Sequence, residues 1–290
     1  MPLDLDDHSR DPQPPGTVDG AGTTSESNFT YRELASVDDT AACVELQAEI
    51  WGSEFDVVPA SLMRIITKIG GLAIGAFDAD GALVGFVFSL SGVRDGEPIH
   101  WSHMLGVREA VRGAGVGRHL KELQRVELAR RGIARMLWTF DPLQARNAHL
   151  NFNRLGVRLI DYVENMYGIT ASPLHHGLAT DRLVVMLPTA SDTRPRPAWN
   201  GMNGSVPVLT PFPRVGDVVV DLDDTVVPAA LIEVPADLEQ IVSSDVAGAW
   251  RLATRASFLG AIRRGYEVTG LRRDLATNRT FYTLVAPSTG

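Results

Sequence analysis

Three shortages narrow what this chain does. It holds one cysteine, Cys43, in 290 residues. No disulfide can form within it, which fits a reducing compartment, and a cytoplasmic protein is expected. Cys43 falls in an apolar helical pattern and reads as a small core residue rather than a nucleophile. Positive charge is also short: 27 Lys and Arg stand against 35 Asp and Glu, a net charge of −8. Nucleic-acid binding needs a basic footprint, so no nucleic-acid partner is expected. Long apolar runs are missing too, so no membrane partner is expected. The opening residues, MPLDLDDHSRDPQPPG, lack the basic start and apolar core of a secretion signal. What is left is an ordinary globular balance, 44% hydrophobic and 21% charged. The length suits one large domain or two modest ones, and a homo-oligomer stays open.

Composition divides the chain. Residues 1–28 are poor in large apolar side chains and rich in Asp, Gly, Ser, Thr and Pro, and read as a disordered tail. From Phe29, FTYRELAS reads as a strand, and TAACVELQAEIWG as a helix that Asp38 and Asp39 cap and Gly52 ends. PASLMRIITKIG reads as a second helix. GLAIGAFDADGALVGFVFSLSG reads as a hairpin turning at Asp80-Gly81, and HWSHMLGV as the next strand. A helix to about Arg131 follows, with Val116, Leu120, Leu123 and Val126 on its apolar arc and Glu127 inside that arc. ARMLWTFD reads as a buried strand, ARNAHLNFNRLG as a helix closed by Gly156, and VRLIDYVENMYG and RLVVMLP as two more strands. Residues 189–216, with five prolines, read as a linker.

Residues 217–290 form a second unit. ALIEVPAD reads as a strand, DLEQIVSS and DVAGAWRLATRASFLGAIRRG as helices, and YEVTGLRR and TFYTLVA as strands. Strand, helix, strand, strand repeats the order of residues 134–187, which points to a degenerate internal half-repeat. The expected fold class is α/β: a mixed central sheet flanked by helices over residues 29–188, with a smaller α/β module after it.

The chemistry starts at VREAVRGAGVGRHLKE. Gly113, Gly115 and Gly117 alternate between Arg112 and Arg118, where a strand runs into a helix. A helix start leaves unpaired N–H groups at the positive end of the dipole, and glycines let an anion approach them. The two arginines add charge for further phosphate oxygens. A mononucleotide loop would need G-x-x-x-x-G-K-[ST], and no Lys-Ser/Thr pair follows. A dinucleotide loop would need a third glycine at the position of Arg118, although Asp141 ends the next strand where a ribose-binding acid would lie. A dinucleotide-binding oxidoreductase therefore ranks behind coenzyme A.

RGAGVG, with Arg112, Gly115 and Gly117, resembles the R/Q-x-x-G-x-G/A signature of the GCN5-related N-acetyltransferase (GNAT) superfamily. The run of elements from Phe29 to Pro188 is similar to that family's order. The resemblance implies an acyl-CoA-dependent N-acyltransferase, with acetyl-CoA or another acyl-CoA as co-substrate, no metal, and a small amine as acceptor. It implies that two parallel strands, HMLGV and MLWTF, splay apart around the pantetheine. Leu105, Gly106 and Val107 would pair with the pantetheine amides. Arg112, Gly113, Ala114, Gly115, Val116, Gly117 and Arg118 would hold the pyrophosphate, and Asn147 or Asn151 the coenzyme arm. The backbone N–H of Leu105 would stabilise the developing oxyanion.

Direct attack by an amine needs a base near neutral pKa. His103 lies on the strand feeding the loop, where some aralkylamine acetyltransferases of the superfamily carry a histidine. Trp101, His103 and Leu105 are read as sharing one face, with His100 as the alternate base. Asp141 would hold the amine or act as base. The family often places a tyrosine acid where this chain has Phe152, which leaves solvent or Tyr162 as proton donor and keeps a non-catalytic acyl-CoA-binding module as the rival reading. The pattern VPAD…AWRLATR…F…RGYEV resembles a group of acetyltransferases with a C-terminal extension, which suggests N-acylated amino acids and a succinyl donor. Arg251 and Arg255, one helical turn apart beside Trp250, suit a carboxylate clamp or, more commonly, internal salt bridges.

Overall fold

The computed structural model describes residues 28–52, 56–168, 178–190, 206–220, 227–241 and 244–287. The tail assigned to residues 1–28 lies outside these, apart from its last residue.

Eleven strands and five α-helices, among the described residues, build two sheets. The first has the order β1-β2-β3-β4-β5-β7-β6. Its N-terminal half is an antiparallel meander: β1 (Thr30–Glu33), β2 (Leu72–Phe77), β3 (Leu83–Arg94) and β4 (Glu97–Val107). Helices α1 (Val37–Trp51) and α2 (Ala60–Lys68) cover one face, burying Cys43, Leu46, Met63 and Ile66 against Phe86, Phe88 and Met104. Burial of this order is the main stabilising term. The α1 cap is Ser36 rather than the two acids alone: its side chain accepts from Asp39 N–H while the Asp39 carboxylate takes the Ser36 N–H, a capping box. Asp95 and Gly96, both at positive φ (54° and 81°), turn β3 into β4, as a tight hairpin demands. Helix α3 (Val116–Arg130) covers the opposite face through Val116 and Leu120.

The C-terminal half of this sheet adds β5 (Arg135–Phe140), β6 (Arg158–Val163) and β7 (Arg182–Pro188). Between β5 and β6, α4 (Ala145–Ala148) runs into a π-helix, His149–Leu155, that ends on Gly156 in the left-handed region. The second sheet has the order β10-β11-β9-β8, from β8 (Val208–Leu209), β9 (Ala229–Val234), β10 (Glu267–Asp274) and β11 (Arg279–Val285), with α5 (Ser244–Arg263) between β9 and β10. Thus part of the stretch read as linker is a strand. The described part of DLEQIVSS is a turn closed by Ile241 N–H on Leu238 O (3.1 Å), not a helix.

The half-repeat is visible strand by strand. β5 and β6 each pair antiparallel with β7, and β9 and β10 each pair antiparallel with β11. A bulge interrupts the second ladder of each copy after the second pair, between Leu159 and Asp161 in one and between Val268 and Gly270 in the other. A positive-φ glycine, Gly156 or Gly265, precedes each bulged strand. Matching the bulges makes Val185 equivalent to Leu284, and so their partners Trp138 and Ala230 equivalent.

The copies pack reciprocally, the π-helix on β10 and α5 on β6. One apolar cluster runs through both, from Trp138, Phe140 and Phe152 to Ile232, Phe258 and Tyr282. Arg251 and Arg255 bind internally. Arg251 forks onto both oxygens of Asp141 (2.9 and 2.6 Å), and Arg255 forks onto Asp181 (both 2.8 Å). Asn153 bonds both main-chain groups of Leu271 (2.8 and 2.7 Å).

Candidate active site

β4 and β5 run parallel and pair only at His100–Met136 and Trp101–Leu137. Beyond that point β4 continues to Val107 and β5 to Phe140 without pairing, so the sheet opens as a V. The main-chain groups that face the opening follow from parity. Arg108 N–H bonds Val84 O across to β3 (2.8 Å). In an antiparallel ladder bonded pairs recur every second residue, so Gly106 also turns its peptide to β3, while Leu105 and Val107 turn theirs into the gap. Of the three residues expected to pair with a pantetheine arm, two present main-chain groups to the gap. Gly106 contributes a missing side chain: a Cβ there would stand 2.7 Å from Phe86 and 2.9 Å from Ile50.

The glycine turn lies at the mouth of the V. After a 3-10 turn at Glu109–Val111, Gly113 and Gly115 take positive φ (91° and 85°), and Gly115 is the N-cap of α3. No side chain caps the helix, and the first turn bond is His119 N–H to Gly115 O. The amides of Val116, Gly117 and Arg118 therefore have no acceptor among the described residues. Open space surrounds a Cβ placed at Gly113 or Gly115. Arg112, Ala114 and Arg118 are exposed, and Arg112 Nε reaches Val107 O (3.2 Å) at the edge of the gap. Free amides, the positive end of a helix dipole and two exposed cations here together favour an anion. Val116 itself is buried and anchors the turn on the core.

His103 is placed by a bulge. Phe88 pairs with Met104 and Ser89 with Ser102, which leaves His103 as the extra residue. A bulge shifts side-chain parity. His103 therefore packs edge-on to Phe88 (6.3 Å between ring centres) on the α1–α2 face, whereas Leu105 packs on the α3 face against Val116 and Leu120. The expectation that His103 and Leu105 share a face is thus corrected. The His103 side chain is open to solvent, yet crowding by protein lowers its pKa below the ordinary 6.5. The imidazole is accordingly neutral at pH 7. His100 is fully buried. Its Nδ1 lies 3.1 Å from Ser91 Oγ, and desolvation, helped by the charges of Arg131 and Lys121, lowers its pKa to about 4.

Other expected site residues lie elsewhere. Asp141 is buried with both oxygens on Arg251, and one also accepts from Leu143 N–H (2.8 Å), so it is not free as a base or as a ribose-binding acid. Asn151 is buried and accepts from Trp138 Nε1 (3.0 Å), whereas Asn147 is exposed on α4. Phe152 is buried between Phe140 and Tyr282. Tyr162 is buried and donates to Asp181 (2.6 Å), and burial together with that carboxylate raises its pKa. Cys43 is buried with its thiol pushed up to about 12, as befits a core residue.

Sequence reasoning missed two residues. Tyr167 is exposed, with its hydroxyl 3.4 Å from Thr139 Oγ1 on the splayed part of β5. Lys121 is buried on the inner face of α3. That inner face is Val116, Leu120, Lys121, Gln124 and Leu128. Val126 is exposed, and Glu127 pairs with Arg130 and Arg131 (both 2.7 Å).

No family model and no curated protein matches the chain. Solved structures similar to it include the ribosomal-protein-S18-alanine N-acetyltransferase of Escherichia coli, at 18% identity and a TM-score of 0.45 over 60% of this chain and 99% of that one. Arabidopsis thaliana Naa50, solved with a bisubstrate analogue, is similar at 15% identity and 0.44, over 55% of this chain and 97% of that one. A GNAT superfamily phosphinothricin acetyltransferase from Sinorhizobium meliloti, solved with AcCoA, is similar at 18% and 0.44, over 56% and 88%. Among the described residues no helix is long and apolar enough to cross a membrane, and no cluster of His, Cys, Asp or Glu is arranged to hold a metal ion.

Proposed function

We propose that the protein is an acyl-CoA-dependent N-acyltransferase of the GCN5-related superfamily. It would move an acetyl or succinyl group to a small amine by direct attack, with an amino acid as the first candidate acceptor. One observation carries the reading: the unpaired seam between β4 and β5 opens onto free helix-start amides and glycines at positive φ. A pantetheine arm ending in a diphosphate has that shape and that hydrogen-bonding demand.

When bound, the coenzyme supplies an activated thioester. The turn from Arg112 to Arg118 would hold its diphosphate, and the main chain of Leu105 and Val107 would pair with its amides. Leu105 N–H faces the gap and would donate to the carbonyl oxygen as negative charge develops there. His103 takes the proton from the attacking ammonium; its lowered pKa keeps it a free base at pH 7. Tyr167 stands in for the tyrosine absent at position 152 as proton donor to the departing sulfur. Asp141 has no part in the chemistry and instead anchors the C-terminal module.

A thiol-release assay with acetyl- and succinyl-CoA against a panel of amines tests this. Amine-dependent release is expected. His103→Ala should cost about a hundredfold in kcat with coenzyme affinity retained. The acid limb of the wild-type pH profile should lie below pH 6.5. Unchanged turnover in the variant removes His103 from the mechanism. Phe152 favours a second reading, a binding module without chemistry, which saturable coenzyme binding without amine-dependent release would establish.

A further inference from the structure

The closed end of the V holds a lysine that the proposed chemistry does not use. Ser102 and Trp138 are the first residues of β4 and β5 beyond the last pair. Lys121 reaches between them from α3: its Nζ lies 2.7 Å from Ser102 Oγ and 3.9 Å from the centre of the Trp138 ring. Its residue exposure is 3%. No carboxylate pairs with it among the described residues. Its surroundings are unusually polar for the apex of a cleft. Gln124, next on the same helix face, is fully buried with neither Oε1 nor Nε2 partnered, and buried His100 leaves Nε2 unpartnered.

Burying an ammonium without a counter-ion costs several kcal/mol, and each unpartnered buried polar atom costs more. An acetyl group needs none of this, because a methyl is best met by apolar walls. The arrangement fits an occupant that brings a negative charge and several acceptor lone pairs to the apex. We propose that Lys121 selects the acyl chain of the donor: the apex accepts chains of four or five carbons that end in a carboxylate, which Lys121 binds with Ser102, Gln124 and His100 around it. The inference rests on the acyl-CoA reading given above.

Reach supports the chain length. From Leu105, whose amide would meet the thioester carbonyl, back to Ser102 is roughly 10 Å of strand, shortened by the bulge at His103. Two or three methylenes, the carboxylate itself and one hydrogen bond of about 2.8 Å together approach that shortened distance. The lysine pKa lies well below its ordinary 10.5 because of desolvation. A carboxylate arriving beside Nζ would offset that desolvation and favour the charged form.

Calorimetric titration of the full chain with CoA, butyryl-CoA and succinyl-CoA tests this through binding alone. Wild type is expected to bind succinyl-CoA at least tenfold more tightly than butyryl-CoA. In Lys121→Met the preference should fall to near one. Equal affinity for the two thioesters in wild type, or a preference that survives in Lys121→Met, overturns the inference. If the variant does not fold, the wild-type ratio decides alone. Failure of CoA itself to bind overturns the acyltransferase reading, and this inference with it.

Discussion

The two sheets of this protein repeat one motif and differ at one joint. In the first, β4 meets β5 at Met136 and Leu137 and then leaves it. In the second, β8 lies parallel to β9 and pairs at Leu231 and Ile232, the equivalents of Thr139 and Phe140, where the first copy has already opened. One seam is a cleft and the other is zipped shut by Val208 and Leu209. The first seam feeds a glycine turn and α3; the described residues after β8 include no helix before β9. A copied half-domain keeps its topology, bulge and helix-ending glycine because those make it fold. What the second copy does is pack: it buries Phe140 and Phe152 and ties down the end of β5 through Arg251 and the Tyr282 hydroxyl, which donates to Pro142 O (2.7 Å).

The sharpest way to break the comparison is to cut that tie. Arg251→Ala leaves the Asp141 carboxylate buried without its partner, which should cost about 3–5 kcal/mol in urea unfolding. Because one apolar cluster spans both copies, the loss should appear in a single cooperative transition. Two separate transitions, or a loss below about 1 kcal/mol as for a surface pair, would show the copies to be independent.

A smaller effect belongs to the open seam alone. His100 on β4 has a folded pKa of about 4 against an ordinary 6.5. The folded state therefore prefers the neutral ring. The stability linked to it is complete above pH 6.5 and is lost as pH falls toward 4, by up to about 3 kcal/mol. The joint of the second sheet is wholly apolar and contributes nothing of this kind. Denaturation at pH 7.5 and at pH 4.5 should show a drop that shrinks in His100→Asn. An equal drop in both proteins would remove His100 from the acid response.

Much of this was legible in the chain, and the misses share a cause. The meander, the glycine turn and the strand–helix–strand–strand repeat follow from periodicity and punctuation, which are local. Asp80-Gly81 marks one hairpin, while Asp95-Gly96, the same signal, is masked by the polar Glu97 that starts the strand beyond it. The bulge at His103 leaves no mark in the sequence, since it is set by register against β3. Lys121 and Gln124 carry a charge and an amide, which usually mean surface, and only the packing of α3 on the sheet shows that they are buried. Asp141 and Arg251, 110 residues apart, each suggested a site of its own until tertiary packing joined them.

The most direct test of the contrast between the seams is the stoichiometry of coenzyme binding. Isothermal titration with CoA should give one site per chain. Gly115→Leu, which forces a side chain onto a position at φ 85° and into the open cradle, should abolish it. Two sites per chain, or one site that persists in Gly115→Leu, would contradict the account.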